Sequence, residues 1–166
     1  MTAPAPGAVA ATIPRFILAG VSVLVVVRPM TPRDAEAVAR LSGQLGYPSA
    51  ADDVERRFRP LAEDSDVVLL VAEDGDGRVV GWIHVGGRRF LGSDTFAQID
   101  GLVVEASARR RGAGRALVRA AEEWARGRGY SVLRLNSNVQ RTEARPFYER
   151  MGYEVIKSQW AFRKTL

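Results

Sequence analysis

Apolar residues follow two periods along this chain. Alternating or β-branched runs read as strands, and recurrence every three to four residues reads as helix. Residues 22–28 form the first expected strand. Ala35, Val38, Leu41, Ser42 and Leu45 recur at helical spacing. Thr31 or Asp34 caps that helix with Pro32 in its first turn, and Gly46-Tyr47-Pro48 stops it. Ser49 and Asp52 form an N-cap pair for a second, short helix carrying Val54, Phe58 and Leu61. Residues 66–73 read as a buried strand, Asp74-Gly75-Asp76-Gly77 as a hairpin turn, and residues 78–86 as the return strand. A polar loop around Gly92-Ser93-Asp94 leads into a strand at 96–104. Leu117, Val118, Ala121, Trp124 and Ala125 share one helix face, which Arg126 to Gly129 terminates. A strand follows at 132–136, then a helix at 142–151 with Ala144, Phe147, Tyr148 and Met151 on one face and Gly152 as C-cap. Two closing strands are expected at 153–157 and 160–164. The order β-α-α-β-β-β-α-β-α-β-β predicts a mixed α/β sheet flanked by helices.

The N-terminus stands apart. Residues 1–12 have no charged side chain and are mostly Ala, Pro, Thr and Gly, and residues 1–21 read as a disordered extension to a domain at 22–166. Residues 16–27 are almost wholly apolar, but a membrane span needs ~20 residues. The expectation is therefore a cytoplasmic protein with no membrane association. The 166 residues are enough for one domain with a sizeable core. There is no cysteine and one histidine, His84. Disulfides, thiolate metal sites, multi-histidine metal centres and a cysteine acyl-enzyme are thereby excluded. The net charge of +5 favours anionic ligands. No recognition helix or aromatic platform accompanies it, so nucleic acid is not an expected partner.

The most informative stretch is Arg109-Arg110-Arg111-Gly112-Ala113-Gly114-Arg115, between the strand Ile99-Asp100-Gly101-Leu102-Val103-Val104 and a periodic helix. Glycines at a strand-to-helix turn let backbone N–H groups crowd around an anion, and the helix dipole points at the same place. A dinucleotide fingerprint fails, because its third glycine would be Leu117 and its acidic residue Val132. A P-loop fails because no lysine follows the glycines. A packing turn with no ligand is the competing reading.

The segment Arg109-x-x-Gly112-x-Gly114 resembles the Q/R-x-x-G-x-G/A signature of the GNAT superfamily of N-acetyltransferases. Downstream, Leu135-Asn136-Ser137-Asn138-x-x-Arg141-x-x-Ala144-x-x-Phe147-Tyr148-Glu149-x-x-Gly152-Tyr153 is similar to that family's fifth strand, following helix and sixth strand. Residues 25–166 are covered. One departure is Arg145-Pro146, where relatives often carry histidine after the alanine.

The resemblance implies a sheet whose fourth and fifth strands splay apart, and acetyl-CoA as donor with no metal. Its pyrophosphate would lie on the N–H groups of Arg110, Arg111, Gly112, Ala113, Gly114 and Arg115, beside Arg109. Its pantetheine arm would pair with the edge at Leu102, Val103 and Val104 like an added strand, and Asn138 would bond the arm or serve as a turn residue. With no cysteine carrier, an amine attacks the thioester directly. The N–H of Val103 or Val104 would hold the oxyanion, and Tyr148 would protonate the leaving thiolate or simply pack. Asp100 is the candidate base, since strand alternation places it on the face of Leu102 and Val104; Gln98 shares that face but cannot act as a base, and Glu105 points the other way. His84 is a further, weaker candidate. An acceptor pocket is expected from Leu45, Tyr47, Asp52, Asp53, Trp82 and Trp160. The substrate would be a small-molecule amine, aminoglycoside-like, or a protein amine. The alternative is a non-catalytic acyl-CoA sensor of the same fold. The closing strands are a candidate homodimer edge.

Overall fold

The computed structural model describes residues 25–166. The expected N-terminal extension and the start of the expected first strand lie outside the described residues. The chain divides after Leu135 into two compact units, the second being Asn136–Leu166.

In the first unit, a five-stranded sheet runs in the order β1 (Val26–Pro29), β2 (Val67–Glu73), β3 (Val79–Phe90), β4 (Ser93–Val104), β5 (Leu133–Leu135). Neighbours are antiparallel except β4 and β5, which are parallel. The β2–β3 hairpin closes as expected. Asp74 Oδ1 accepts the N–H groups of Asp76 and Arg78 at 3.1 and 2.9 Å, and Gly77 takes the positive φ of 75° that the turn needs. The β3–β4 hairpin is longer than the expected strands and pairs out to Phe90 and Ser93. Arg88, Arg89, Asp94 and Thr95 carry no apolar alternation because this end of the ribbon has little core beneath it.

Helices α1 (Ala35–Leu45) and α2 (Ala51–Glu63) follow β1. A single 3-10 turn at Pro32–Asp34 precedes α1, and Asp34 Oδ2 accepts the Thr31 N–H at 2.7 Å. Gly46 ends α1 in the left-handed region, as expected. The expected Ser49 cap of α2 is not formed. Ala50 holds that position, and the Ser49 hydroxyl instead accepts from Arg57 at 3.0 Å. Val38, Leu41 and Val54 from the two helices bury against Val71 and Val103, with Trp82 and Leu45 packed alongside.

Helix α3 (Ala113–Gly127) packs on β2, β3 and β4 through Leu117, Val118 and Ala121, all fully buried. Gly81 makes this approach close. A Cβ there would stand 2.8 Å from the Val103 carbonyl and 3.2 Å from the Leu117 side chain.

The second unit holds one short helix, α4 (Ala144–Glu149). It is shorter than the apolar stripe predicted. Its end is closed by Gly152 at φ 89° and by the Tyr153 N–H donating to Tyr148 O at 3.1 Å. The two closing strands are absent. Residues 153–166 form no ladder, and Val155, Ile156, Trp160 and Phe162 are 59–91% exposed. Alternation alone does not make a strand, because each backbone edge needs a partner.

Candidate active site

The edge of β4 leads straight into the glycine turn. Pairing of β4 with β5 covers only Ala97, Gln98 and Ile99, opposite Leu133, Arg134 and Leu135. The Arg134 guanidinium lies 4.0 Å from the centre of the Phe96 ring beside this paired stretch. β5 ends at Leu135, opposite Ile99, while β4 runs on to Val104. The carbonyl of Val103 faces Gly81 and the Glu105 N–H donates to Val80 O at 2.8 Å, so both belong to the β3 side. Alternation then directs the backbone groups of Leu102 and Val104 to the unpaired edge. Of the two expected oxyanion donors, Val103 is turned away and Val104 remains. Leu102 joins it.

Arg109 follows the strand and donates from Nε to Val104 O at 3.3 Å. Arg110 is the one non-glycine residue of positive φ among the described residues, at 64°, and Gly112 takes 92°. Two left-handed residues within three positions curl the backbone into a nest of N–H groups. The first intrahelical bond of α3 runs from the Ala116 N–H to Gly112 O at 2.9 Å. The N–H groups just before it, through Ala113, Gly114 and Arg115, have no acceptor within the helix. Arg110, Arg111 and Arg115 are exposed around this nest. A pyrophosphate fits such a donor set, and an amide-bearing arm fits the unpaired edge.

Asp100 does not share the face of Leu102 and Val104. The β3–β4 register shifts there: Val85 pairs with Ile99 and His84 with Gly101, leaving Asp100 as an extra residue in β4. This β-bulge resets the alternation. Asp100 and Gln98 lie on the His84 face together with Val103 and Glu105; Glu105 thus points away from Leu102 and Val104, as expected, but to the same side as Asp100. The Asp100 carboxylate pairs with Arg88. It accepts the Gln98 carboxamide N–H at 3.2 Å and lies 3.8 Å from His84 Nε2. Burial and the Arg88 charge push the His84 imidazole below its usual range, and Asp100 only partly opposes them. His84 is therefore neutral at pH 7. The Trp82 ring covers Gly101, where a Cβ would stand 2.7 Å from it.

Glu105 is buried and bound by Arg40 of α1 and by Arg78 at 2.6 Å. It ties α1 to both central strands, which is a structural task. Of the expected acceptor-pocket residues in the first unit, Leu45 and Trp82 come together against the α1 core. Tyr47 is 70% exposed, Asp52 is exposed, and Asp53 pairs with Arg56 on its own helix at 2.7 Å.

Asn138, Tyr148 and Trp160 belong to the second unit. The Asn138 side-chain oxygen accepts the Gln140 N–H at 2.9 Å in a local turn. The Tyr148 ring meets Phe147 and Tyr153 edge-to-face at 5.0 and 5.6 Å. Burial pushes its phenol up to about 12, so it keeps its proton. Trp160 is 87% exposed.

The grouping of Arg88, His84 and Asp100 escaped the reading by alternation. Its signal was present in Gly101, because a lone glycine inside a strand pattern marks a bulge.

The sequence profile of the acetyltransferase (GNAT) family matches residues 35–153. The aminoglycoside N(6')-acetyltransferase type 1 of Stenotrophomonas maltophilia is 31% identical over 145 residues, covering 84% of this chain and 93% of that protein. A Bacillus halodurans protein described as a transcriptional regulator superposes with a TM-score of 0.75 at 26% identity, covering 84% of this chain and 99% of that one. The aminoglycoside acetyltransferase AAC(6')-Iy, solved with the bisubstrate analogue CoA-S-monomethyl-acetylneamine, superposes with a TM-score of 0.74 at 19% identity, covering 86% of this chain and 99% of that one. With that family match and the mixed five-stranded sheet, the chain belongs to the GNAT acetyltransferase family and is an acyl-CoA-dependent N-acetyltransferase.

Proposed function

We propose that this enzyme moves the acetyl group of acetyl-CoA directly to a primary amine of a small cationic acceptor of the aminoglycoside kind. The observation that carries this reading is the β4 edge, unpaired from Leu102 to Val104 and ending in a nest of N–H groups. The acceptor class rests on the aminoglycoside N(6')-acetyltransferase relative.

The roles follow from the chemistry. The N–H groups from Arg110 to Arg115, with the Arg109 charge, hold the pyrophosphate. The backbone of Leu102 and Val104 pairs with the amide arm, and one of their N–H groups stabilises the oxyanion. The Asn138 side-chain –NH2 donates to the same arm, its oxygen being engaged in the local turn. The acceptor amine, with a solution pKa near ~10.4 if lysine-like, must lose a proton before it attacks. Asp100 receives the amine and takes that proton, and the neutral His84 imidazole beside it passes the proton on. The C–N bond forms, the C–S bond breaks, and the Tyr148 hydroxyl donates its proton to the departing sulfur; the second proton leaving the nitrogen restores the phenol, so one proton passes through Asp100 and His84 to solvent per acetyl transferred.

The test is calorimetric titration of acetyl-CoA into the full chain and into Gly112→Trp, followed by thiol release with a panel of amines. A large side chain at φ 92° disrupts the nest. Binding by the natural sequence that is lost in the variant, with thiol released in the presence of an aminoglycoside, is expected. Binding without thiol release from any amine would favour the sensor reading.

A further inference from the structure

Two of the aspartate–arginine pairs in the first unit, Asp34 with Arg28 and Asp100 with Arg88, are built differently. Arg28 grips both oxygens of Asp34 at 2.8 Å and also Glu73, and the Asp34 side chain is 6% exposed. Arg88 reaches Asp100 through a single nitrogen, and its side chain is 39% exposed. Its other bond goes to the neighbouring Gly87 carbonyl at 3.0 Å. To reach Asp100, the Arg88 side chain folds back across Gly86, where a Cβ would stand 3.0 Å from Nη1. Apart from Arg88, the Asp100 carboxylate has the Gln98 contact and lies on the bulge beside His84.

We propose that Arg88 is a displaceable stand-in for the acceptor, a guanidinium that occupies Asp100 until an alkylammonium replaces it. This rests on the reading that Asp100 receives the acceptor amine. The exchange swaps one cation for another on the same carboxylate, so Asp100 is never left bare. An exposed, single-nitrogen ion pair is weak, so the exchange costs little. It also narrows the substrate class. An aliphatic amine arrives protonated and can compete with the guanidinium. An arylamine is neutral at pH 7, brings no charge, and leaves Arg88 in place.

The experiment is calorimetric titration of kanamycin and of aniline into the full chain with CoA present, and into Arg88→Gln, Asp100→Asn and the double variant. Losing the internal competitor tightens kanamycin binding in Arg88→Gln by about three- to fivefold, the span expected for a weak surface pair. The same change has no effect in the Asp100→Asn background, where no carboxylate is left to free. Aniline binding is the same with and without Arg88. An unchanged or weaker kanamycin Kd in Arg88→Gln overturns the stand-in, and so does a gain that persists in the double variant. If thiol release with kanamycin continues in either case, the acetyl-transfer reading survives the loss of this proposal. If acetyl-CoA binds and no amine is acetylated, both fall.

Discussion

Arg28 holds Asp34 by two parallel hydrogen bonds of 2.8 Å, fastening the end of β1 to the turn that starts α1. Burial favours protonation of Asp34, yet the Arg28 guanidinium and the Thr31 N–H outweigh it and hold the carboxyl below its usual range. A carboxylate with a lowered folded pKa stabilises the fold above the unfolded value, near ~3.9, and loses that contribution as pH falls through the folded value. Asp34→Asn is expected to cost about 2–3 kcal/mol at pH 7, since it leaves Arg28 with Glu73 alone. Urea unfolding at pH 7 and at pH 3 checks this, and the difference from the natural sequence shrinks at the lower pH.

Tyr130, just beyond α3, donates to the Asp66 carboxylate ahead of β2 at 2.7 Å, and Asp66 O accepts the Gly87 N–H at 2.9 Å. A Cβ on Gly87 would overlap both side chains. Gly87→Ala is expected to destabilise by about 2 kcal/mol through overpacking. Tyr130→Phe, which removes only the hydroxyl, costs about 1 kcal/mol. Thermal unfolding of the two variants and the double variant should give less than the sum, because the alanine already parts the staple.

His84 works as a neutral imidazole in the proposed proton path. Its kcat/KM profile should therefore fall only on the acid side, through a value below the ordinary ~6.5. Arg88→Gln removes a cation that depresses the imidazole, so the acid limb moves to higher pH. Asp100→Asn removes the carboxylate that raises it, so any residual activity shows the limb at lower pH. A profile that stays in place in Arg88→Gln would remove His84 from the path.

The Tyr148 phenol, pushed up to about 12 by burial, keeps its proton at neutral and mildly alkaline pH. Tyr148→Phe is expected to lower kcat about 10²-fold or more, as for loss of a general acid, with the Kd for acetyl-CoA unchanged. Thiol release at saturating acetyl-CoA measures this. Equal losses in kcat and in donor affinity would indicate that Tyr148 only packs between Phe147 and Tyr153.

The turn from Arg109 to Arg115 was legible because its backbone geometry dictates residue type: glycine at φ 92° at position 112 and a helix right behind it. The apolar stripes of α1 and α3 were legible because a buried face leaves a strict period. Asp100 was misplaced because alternation assumes an unbroken ladder, and one inserted residue inverts every facing after it. The α2 cap was misassigned because several polar residues near a helix start can all serve, and the Arg57 contact drew Ser49 away. The closing strands failed for a different reason. Their alternation is genuine, but a pattern within one segment cannot say whether a neighbouring edge exists.

The extra residue at Asp100 also divides β4 into two stretches that answer to different demands. In the proposed reaction, Gln98 and Asp100 before it would meet the acceptor through side chains, and Leu102 and Val104 after it would meet the donor through main-chain atoms. Substitution at the first pair leaves the main-chain positions of the second untouched. New acceptors can therefore be explored by point changes upstream, while deletion of a single residue at the junction would disable both halves at once.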